Sequence, residues 1–318
     1  MSIKFSIADA HCDYLYHAVY SDYTLNTAKA RQHVTLERLI NGGVSVQFFA
    51  VWLDARLRVD PLQQSLSMIA RFYGELSEHS DRLYHYTPAA YDTHGDSVGA
   101  VLTMEGLGEA MKGRLENLDI FARLGVRAST LIWNDENDLA SPAASVKPKI
   151  RARGLKDLGK AAVRRMNELN VAVDLAHLND RGIDDVLEIS AQTPFASHSN
   201  ARGAYNAARS LNDEHIMEIA RRGGVIGVNF YHGQLTDKRR AELDDVLRQI
   251  DHIAGIGGVD SVAVGSDYDG MDLTPRGLEH PGEFQNLAQG LIMRGYSEED
   301  VKKILFGNLK RYIDGFYD

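Results

Sequence analysis

Cysteine is nearly absent from this sequence of 318 residues, in which Cys12 is the only one. A single cysteine cannot form a disulfide within the chain, so a secreted scaffold built on disulfides is excluded. Uninterrupted apolar runs are also short, and none approaches the ~18 residues that a membrane-spanning helix needs. The N-terminus shows no signal-peptide pattern, and the C-terminus shows no hydrophobic tail that could be exchanged for a lipid anchor. These absences predict a cytoplasmic protein without membrane attachment.

Positive charge is scarce as well, since 35 Lys and Arg residues stand against 44 Asp and Glu residues, for a formal net charge of −9. Nucleic acids bind proteins through clustered Lys and Arg side chains that neutralise phosphates. The basic stretches at 147–153 and 237–242 are interrupted by apolar or acidic residues. We therefore expect no nucleic-acid partner.

Short apolar runs bounded by turn residues alternate with amphipathic helical patterns along the chain. Several helical patterns end at glycine, as helix C-caps do, and the last one begins with Ser297 as its N-cap. Eight strand–helix units predict an α/β fold of the (β/α)8 TIM-barrel type, with residues 1–318 forming one domain. The eight predicted strands are 5–10, 44–51, 98–104, 126–132, 171–176, 194–197, 224–230 and 261–266.

A doubly wound open sheet is the alternative α/β fold. Its first strand is normally followed by a glycine-rich turn that binds phosphate. Here the first predicted strand runs instead into "HCD" (11–13). The barrel is therefore the favoured prediction.

Ionisable side chains of metal-ligand types follow five of the eight predicted strands. The C-terminal ends of barrel strands form one face of the molecule, so we expect these side chains to share a pocket. Along a strand, residues two apart face the same side, so His11 and Asp13 point together while Cys12 points away into the apolar packing. They are His11 and Asp13 after the first strand, Glu105 after the third, His177 after the fifth, His198 after the sixth and Asp267 after the eighth.

Three histidines and three carboxylates in one pocket would be costly unless a cation balanced the carboxylates. Imidazole and carboxylate ligands without thiolate suit Zn, Mn or Fe. Two such ions about 3.5 Å apart could share one carboxylate and activate a water for hydrolysis. Glu105 is the natural bridge, because it is the lone carboxylate of its strand end.

Each of these residues has a plainer interpretation when it is taken singly, as a helix cap or a hydrogen-bonded surface group. Their joint occurrence favours the metal site. Asp9 could orient a ligand histidine or be a buried spacer, and Asp269 is interpreted as fixing its loop rather than as a ligand. The "SHS" segment (197–199) lacks the G-x-S-x-G elbow of serine hydrolases, which argues against nucleophilic serine chemistry.

Six ordered motifs carry a family resemblance: "DAHCD", "LTMEG", "VDLAH", "PFASHSNAR", "GGVIGVNFY" and "GSDYDG". In this order and spacing they resemble the membrane (renal) dipeptidase family of the amidohydrolase superfamily. The likeness runs from about residue 8 to "FGNLKR" (306–311), which is nearly the whole chain. The resemblance implies a (β/α)8 barrel that holds two zinc ions, although other divalent metals are compatible with the ligand set.

The resemblance also implies a role for each ligand: His11 and Asp13 hold the first zinc ion, His177 and His198 hold the second, and Glu105 bridges the two. Asp267 matches the aspartate that shuttles a proton between the attacking water and the leaving amine.

Substrate contacts follow from the same resemblance. Arg209, eleven residues after His198, matches the arginine that binds the terminal carboxylate of the substrate, with Arg202 as its competitor. A guanidinium suits this task because its fork can bind a carboxylate bidentately. Tyr231 falls where the family has an aromatic residue lining the pocket.

Two departures from the family pattern stand out. The best-known members read "DGHND" where this chain has "DAHCD", which changes spacers and keeps both ligand types. Those members also place a substrate-binding histidine where this chain has Trp133. Asn134 or Asn137 could then help the metals to stabilise the oxyanion.

The predicted function is hydrolysis of dipeptides with a free C-terminal carboxylate, by attack of a metal-bridging water. Family members often accept a D-residue at the C-terminal position, so L,D-dipeptides are expected among the substrates, and relatives tend to form homodimers. One alternative is another metal-dependent amidohydrolase, acting on N-acyl amino acids or lactones. A less favoured alternative is a non-catalytic ligand-binding relative.

Overall fold

The computed structural model describes residues 4–95, 97–144 and 147–317. Nine strands occur in these residues, and the pairings between them are parallel. They are β1 (Ile7–Asp9), β2 (Val44–Trp52), β3 (Leu83–His85), β4 (Val98–Glu105), β5 (Ala128–Thr130), β6 (Ala172–Asp174), β7 (Ala196–Ser199), β8 (Ile226–Val228) and β9 (Val262–Val264).

Eight of the strands form a nearly closed barrel in the order β6-β5-β4-β2-β1-β9-β8-β7. The two ends of this order meet at a parallel bridge between Asp174 and Phe195. There the amide of Leu175 donates to the carbonyl of Phe195 at 2.7 Å, and the amide of Phe195 donates to the carbonyl of Val173 at 3.2 Å. The predicted TIM barrel is confirmed, whereas the assignment of residues 1–318 to one domain stays a prediction.

The described residues contain one strand more than the eight predicted, and the additional strand is β3. It pairs only with the first three residues of β4, on the edge that β5 occupies further along. Its segment, "RLYHYT" (82–87), lacks the continuous apolar run that surrounds the other three-residue strands, which is why it was missed. The count shifts as a result, so Glu105 ends β4 rather than a third strand.

Helices surround the barrel. One of them, which begins at Tyr14, starts directly after Asp13. The bounds are α1 (Tyr14–Tyr20), α2 (Leu36–Gly42), α3 (Pro61–Glu78), α4 (Pro88–Tyr91), α5 (Leu107–Met111), α6 (Leu115–Arg123), α7 (Pro148–Arg151), α8 (Asp157–Glu168), α9 (Asp180–Ile189), α10 (Asp213–Arg221), α11 (Leu243–Gly257), α12 (Phe284–Met293), α13 (Glu298–Lys302) and α14 (Asn308–Asp314). Short 3₁₀ turns at His232–Gln234, Val259–Ser261 and Pro281–Glu283 and a π-turn at Lys303–Gly307 complete the list. Among the described residues, no helix is both long and apolar enough to cross a membrane.

The C-terminal helix α14 closes the N-terminal end of the barrel. Its side chains Leu309, Tyr312 and Ile313 belong to the same buried cluster as the barrel residues Ala8 and Phe48. The Tyr312 hydroxyl donates to the carbonyl of Thr193, just before β7, at 2.7 Å. This helix therefore covers the end of the barrel opposite to the one at which the strands deliver their C-terminal residues.

Candidate metal centre

His11 and Asp13 lie together just beyond β1, as the two-residue alternation predicts. Both are buried, with 2% and 6% of their surface exposed, and His11 Nε2 lies 3.6 Å from Asp13 Oδ1. Cys12 points the other way, into the apolar layer between barrel and helices. His11 Nε2 also lies 3.7 Å from Glu105 Oε2 and 3.9 Å from Asp267 Oδ1.

Glu105 lies between this pair and the other two histidines. Its Oε1 atom is 2.7 Å from His177 Nε2 and 3.4 Å from His198 Nε2, while Oε2 faces His11. The three side chains reach this point from the ends of β4, β6 and β7. One oxygen of the carboxylate is therefore directed at His11 and the other at His177 and His198, which is the geometry that a bridging ligand needs.

Hydrogen bonds on the far side of both imidazoles set their tautomers. His177 Nδ1 lies 3.1 Å from Asn134 Oδ1, an acceptor, so Nδ1 carries the proton. His198 Nδ1 lies 2.8 Å from Ser197 Oγ, whose hydroxyl donates to Asp174 and can therefore accept from the ring. Both Nε2 atoms are left with lone pairs, yet they lie only 3.1 Å apart. Two lone pairs at this distance repel each other unless a cation lies between them.

The protonation states of the pocket residues also indicate that a cation is needed there. Burial lowers the pKa of His177 and of His198 well below the ordinary value, so both rings are neutral. Burial raises the pKa of Glu105 well above its ordinary value, although the charge of His11 opposes the shift. His11 Nε2, Asp13 Oδ1 and Glu105 Oε1 are buried without a hydrogen-bond partner in the described part of the chain. Orphaned oxygen and imidazole donors without a thiolate fit a divalent cation such as zinc.

Asp267 faces this pocket from the loop after β9, with a left-handed φ of +65°. Its Oδ2 atom accepts a hydrogen bond of 3.2 Å from Asn229 Nδ2, a residue after β8 that the sequence reasoning missed within the "GVNFY" motif. Burial raises the pKa of Asp267 to about 7, and the neighbouring charge of Asp13 adds to the shift against the lowering by His11. A carboxyl group with such a pKa can both accept and give up a proton near neutral pH.

Gly270 was also missed, and it closes the loop against the two carboxylates. A Cβ atom built on Gly270 would lie 2.2 Å from Asp13 Oδ2 and 2.3 Å from Asp267 Oδ1. Only glycine therefore fits at this position while both carboxylates keep their places.

Asp9 and Asp269 brace the loops of the site and do not contact the ligand histidines through their carboxylates. Asp9 accepts hydrogen bonds from Ser266, through the amide at 2.8 Å and the hydroxyl at 2.6 Å. Asp269 accepts from the amides of His33 at 2.6 Å and Val34 at 3.3 Å. The interpretation of Asp269 as a loop-fixing residue agrees with these contacts, and Asp9 holds the residue directly before Asp267.

Arg209 reaches the pocket from the segment that follows β7. Its Nη2 atom donates to the His198 carbonyl at 3.4 Å, and its Nε atom is buried without a partner among the residues described. Burial lowers its pKa, which the nearby negative charges of Asp267 and Glu105 oppose. Arg202, the competitor, forks instead onto Asp180 at 2.8 and 3.0 Å.

A model of the family described as "Membrane dipeptidase (Peptidase family M19)" matches residues 1–315. This chain belongs to that family. The resemblance found in the motifs is confirmed, and so, at the level of the family, is the prediction of a metal-dependent dipeptidase.

Curated relatives of this M19 chain carry dipeptidase names. An uncharacterized dipeptidase of Schizosaccharomyces pombe is 32% identical over 238 residues, which cover 74% of this chain and 56% of that protein. The chain thus spans little more than half the length of this relative. Dipeptidase tcpJ of Claviceps purpurea is 27% identical over 327 residues, covering 96% of this chain and 76% of that protein.

Solved structures share the fold over nearly the whole chain. The M19 metallopeptidase called dipeptidase AC superposes with a TM-score of 0.88 at 26% identity, covering 99% of each chain. A metallopeptidase from Rhodobacter sphaeroides, solved with a phosphinate mimic of the dipeptide L-Ala-D-Ala, gives a TM-score of 0.88 at 24% identity, covering 98% of this chain and 99% of that one.

Three aromatic side chains, Tyr16, Trp52 and Trp133, pack in a row that begins beside His177 in this M19 chain, and we call them the aromatic wall. The Trp133 ring centroid lies 6.3 Å from that of His177 and 5.0 Å from that of Trp52. The Tyr16 ring lies 4.7 Å from Trp52, edge to face. All three are half-buried. Tyr231, 40% exposed, lies apart from them in the segment after β8, close to Arg209.

The two asparagines that could have helped an oxyanion have protein partners. Asn134 accepts from His177, as described above. Asn137 accepts from the amides of Leu139 at 2.8 Å and Ala140 at 3.1 Å, and it donates to the carbonyl of Leu131 at 2.9 Å. Asn137 is thus fixed within its own loop, while a substrate contact by Asn134 stays a prediction.

A further group of possible ligands lies outside the barrel mouth, at the end of α3: Glu75, Glu78 and His79. Glu75 already accepts hydrogen bonds from the Arg71 guanidinium and from the Tyr14 hydroxyl. The positive charge of Arg71 opposes a second cation here, so we assign this group to an ion-pair network.

Proposed function

We propose that this chain is a dinuclear zinc dipeptidase that hydrolyses dipeptides with a free C-terminal carboxylate. The observation that carries the proposal is the position of Glu105, which directs one oxygen to His11 and the other to His177 and His198. The Arg209 guanidinium beside the same pocket has a buried nitrogen, Nε, without a partner in the described part of the chain, and this supports a substrate that carries a carboxylate.

The residues present fit two metal ions. His11 and Asp13 would hold the first, His177 and His198 the second, and Glu105 would span both. When bound, such cations polarise the peptide carbonyl and lower the pKa of the attacking water. The protein's part is to keep both histidines in the Nε2-ligating tautomer, which the hydrogen bonds of Asn134 and Ser197 do.

Asp267 is the proposed proton shuttle. It lies 3.9 Å from His11 Nε2, and its second oxygen is held by Asn229 at 3.2 Å, so one oxygen stays directed into the pocket. From this position it would take a proton from the attacking water and pass it to the leaving amine. A carboxylate held at this distance can accept the proton and then give it up.

Arg209 would bind the free carboxylate of the substrate and so restrict the enzyme to dipeptides. The guanidinium is largely buried, and its Nε atom lacks a partner among the described residues, so a carboxylate would satisfy a donor that the protein leaves free. Tyr231 would pack beside the bound carboxylate. A residue added at the C-terminus of the substrate would move the carboxylate away from this guanidinium.

The proposal is tested by incubating the zinc-reconstituted protein with a pooled library of L,L- and L,D-dipeptides and following each by mass spectrometry. We expect particular dipeptides to be depleted. The pattern of depletion will show which chirality is accepted at the C-terminal position. An untouched pool with two metals per chain would overturn the proposal. N-acyl amino acids, which share the carboxylate that Arg209 would bind, and lactones would then be assayed with the same protein.

Two further parts of the proposal concern the protein in the cell. We place the enzyme in the cytoplasm, where its single buried thiol, Cys12, would remain reduced. A homodimer is the expected oligomeric state. Cell fractionation and light scattering on the purified protein test these two statements.

A further inference from the structure

The aromatic wall and Arg209 follow different strands of the barrel mouth. Trp52 ends β2 and Trp133 follows β5, while Arg209 follows β7 and Tyr231 follows β8. In the barrel order, β2, β4 and β5 are neighbours, and β7 and β8 are neighbours on another part of the ring. The mouth therefore has a cationic side and an aromatic side, with the ligand pocket between them.

We propose that Tyr16, Trp52 and Trp133 form the pocket for the side chain of the substrate's N-terminal residue, and that they select large apolar and aromatic side chains. The proposal rests on the proposed dipeptidase function. A dipeptide held by its carboxylate at Arg209, with its peptide bond at the ligand pocket, must direct its N-terminal residue away from β7 and β8. The side of the mouth that it then meets is the aromatic one.

Strand register brings the wall next to the reacting bond. Trp52 is paired directly with Glu105 across β2 and β4, so the indole begins at the level of the bridging carboxylate. On the other side of β4, the Trp133 ring lies 6.3 Å from the ring of His177. The two indoles flank the end of β4 and meet edge to face at 5.0 Å, so they present one continuous surface.

The wall offers apolar faces. The Asp54 carboxylate beside it accepts from the Tyr16 hydroxyl at 2.9 Å and from the Arg56 fork at 2.8 and 2.9 Å, so its charge is balanced within the protein. Edge-to-face aromatic packing favours another ring in the same cluster. The indole faces also attract an ammonium group, so they suit the free α-amino group of the same residue.

The test measures kcat/KM of the metal-loaded enzyme for Gly-Ala, Ala-Ala, Leu-Ala and Phe-Ala, with the C-terminal residue in the chirality that the enzyme accepts. We expect Phe-Ala to exceed Ala-Ala by about 30-fold or more, because a phenyl side chain gains far more buried apolar contact than a methyl group. The ratio of the two substrates within one preparation does not depend on the folded or metal-loaded fraction.

Variants then assign the preference to the wall. Trp133→Ala and Trp52→Leu should each lower the Phe-Ala to Ala-Ala ratio by about 10-fold or more, while Trp133→Phe should keep it within about 3-fold. Tyr73→Ala is the control, because Tyr73 is a partly exposed aromatic residue on α3 whose hydroxyl bonds the carbonyl of Leu124. The control should leave the ratio unchanged.

The outcomes separate this proposal from the one on which it rests. A wild-type enzyme that hydrolyses all four dipeptides at similar kcat/KM would overturn the pocket and leave the dipeptidase function standing. Unchanged ratios in both tryptophan variants would overturn the assignment to the wall. Hydrolysis of none of the dipeptides by fully loaded protein would refute the dipeptidase function itself.

Discussion

His177 and His198 face each other through their Nε2 atoms at 3.1 Å, while the Nδ1 atom of each ring is bonded to a side chain behind it. This pair is a strained arrangement on its own and a favourable one around a cation. Because metal ions would bind the folded state and remove this repulsion, metal removal should destabilise the protein.

The first prediction concerns that stability. Treatment with a strong chelator should lower Tm by about 4–8 °C, and an excess of Zn²⁺ should restore it, as expected for ligands present at about 100 times their Kd. Calorimetry and metal analysis measure both effects. His177→Ala should lose about one metal equivalent, whereas the exposed His94→Ala should lose none. Equal Tm values with and without metal would contradict the proposed centre.

The second prediction concerns proton transfer. Asp267→Asn keeps the shape of the side chain and removes its ability to exchange a proton, so kcat should fall about 10²- to 10⁴-fold with the metal content intact. Steady-state kinetics on a depleted dipeptide and metal analysis of the same sample check this. Asp272→Asn, an exposed carboxylate nearby in sequence, serves as the control. Full activity of Asp267→Asn would remove the assigned role.

The third prediction concerns the carboxylate. Arg209→Ala should raise KM for dipeptides about 100-fold or more, and Arg209→Lys should recover only part of the loss, because a lysine keeps the charge without the fork. A dipeptide amide, which lacks the carboxylate, should be a poor substrate for the wild type and should be little affected by either change. Arg202→Ala, which breaks the ion pair with Asp180, should leave KM unchanged. If Arg202 bound the substrate instead, Arg202→Ala would raise KM and Arg209→Ala would leave KM unchanged.

The fourth prediction concerns Gly270, whose backbone lies against the carboxylates of Asp13 and Asp267. Gly270→Ala would place a methyl group within 2.3 Å of carboxylate oxygens of Asp13 and Asp267, so metal affinity and kcat should both fall. Gly74→Ala is the matched control, since no described residue outside its own helix backbone and chain neighbours lies within 4 Å of its Cβ position, in the C-terminal half of α3. That variant should keep activity and gain up to about 1 kcal/mol of stability from helix propensity. Equal activity of the two variants would show that the loop gives way freely.

The fifth prediction concerns the pH dependence of stability. Burial raises the pKa of Glu109 to about 7, despite a hydrogen bond of 2.9 Å from Asn137. The unfolded chain has a Glu pKa near ~4.3, so the folded state binds more protons between these values and the free energy of unfolding falls as pH rises through them.

Glu109→Gln removes this titration. Its stability relative to the wild type should therefore rise between about pH 4.5 and pH 7 and level off above, with a gain of roughly 1–3 kcal/mol at pH 8. Urea unfolding at pH 4.5 and pH 8 measures the difference. Glu116→Gln, whose side chain is 73% exposed, should show no such change with pH. A difference for Glu109→Gln that is constant across pH would contradict the shifted pKa.

The sequence by itself determined the barrel and the convergence of His11, Asp13, Glu105, His177 and His198 in one mouth. The reason is local: strand alternation fixes which side chains share a face, and the C-terminal ends of parallel barrel strands must lie at one end. These are properties of short segments and of the order in which they follow one another.

Only the tertiary structure decided which residues support that mouth. Asn134 behind His177, Asn229 on Asp267 and Asp9 on Ser266 are pairs brought together from 38 to 257 positions apart in the chain. Strand register and loop course set these contacts, and neither follows from the hydrophobic pattern of one segment. The same holds for Trp52 and Trp133, which form one wall because β2 and β5 flank β4 in the closed barrel.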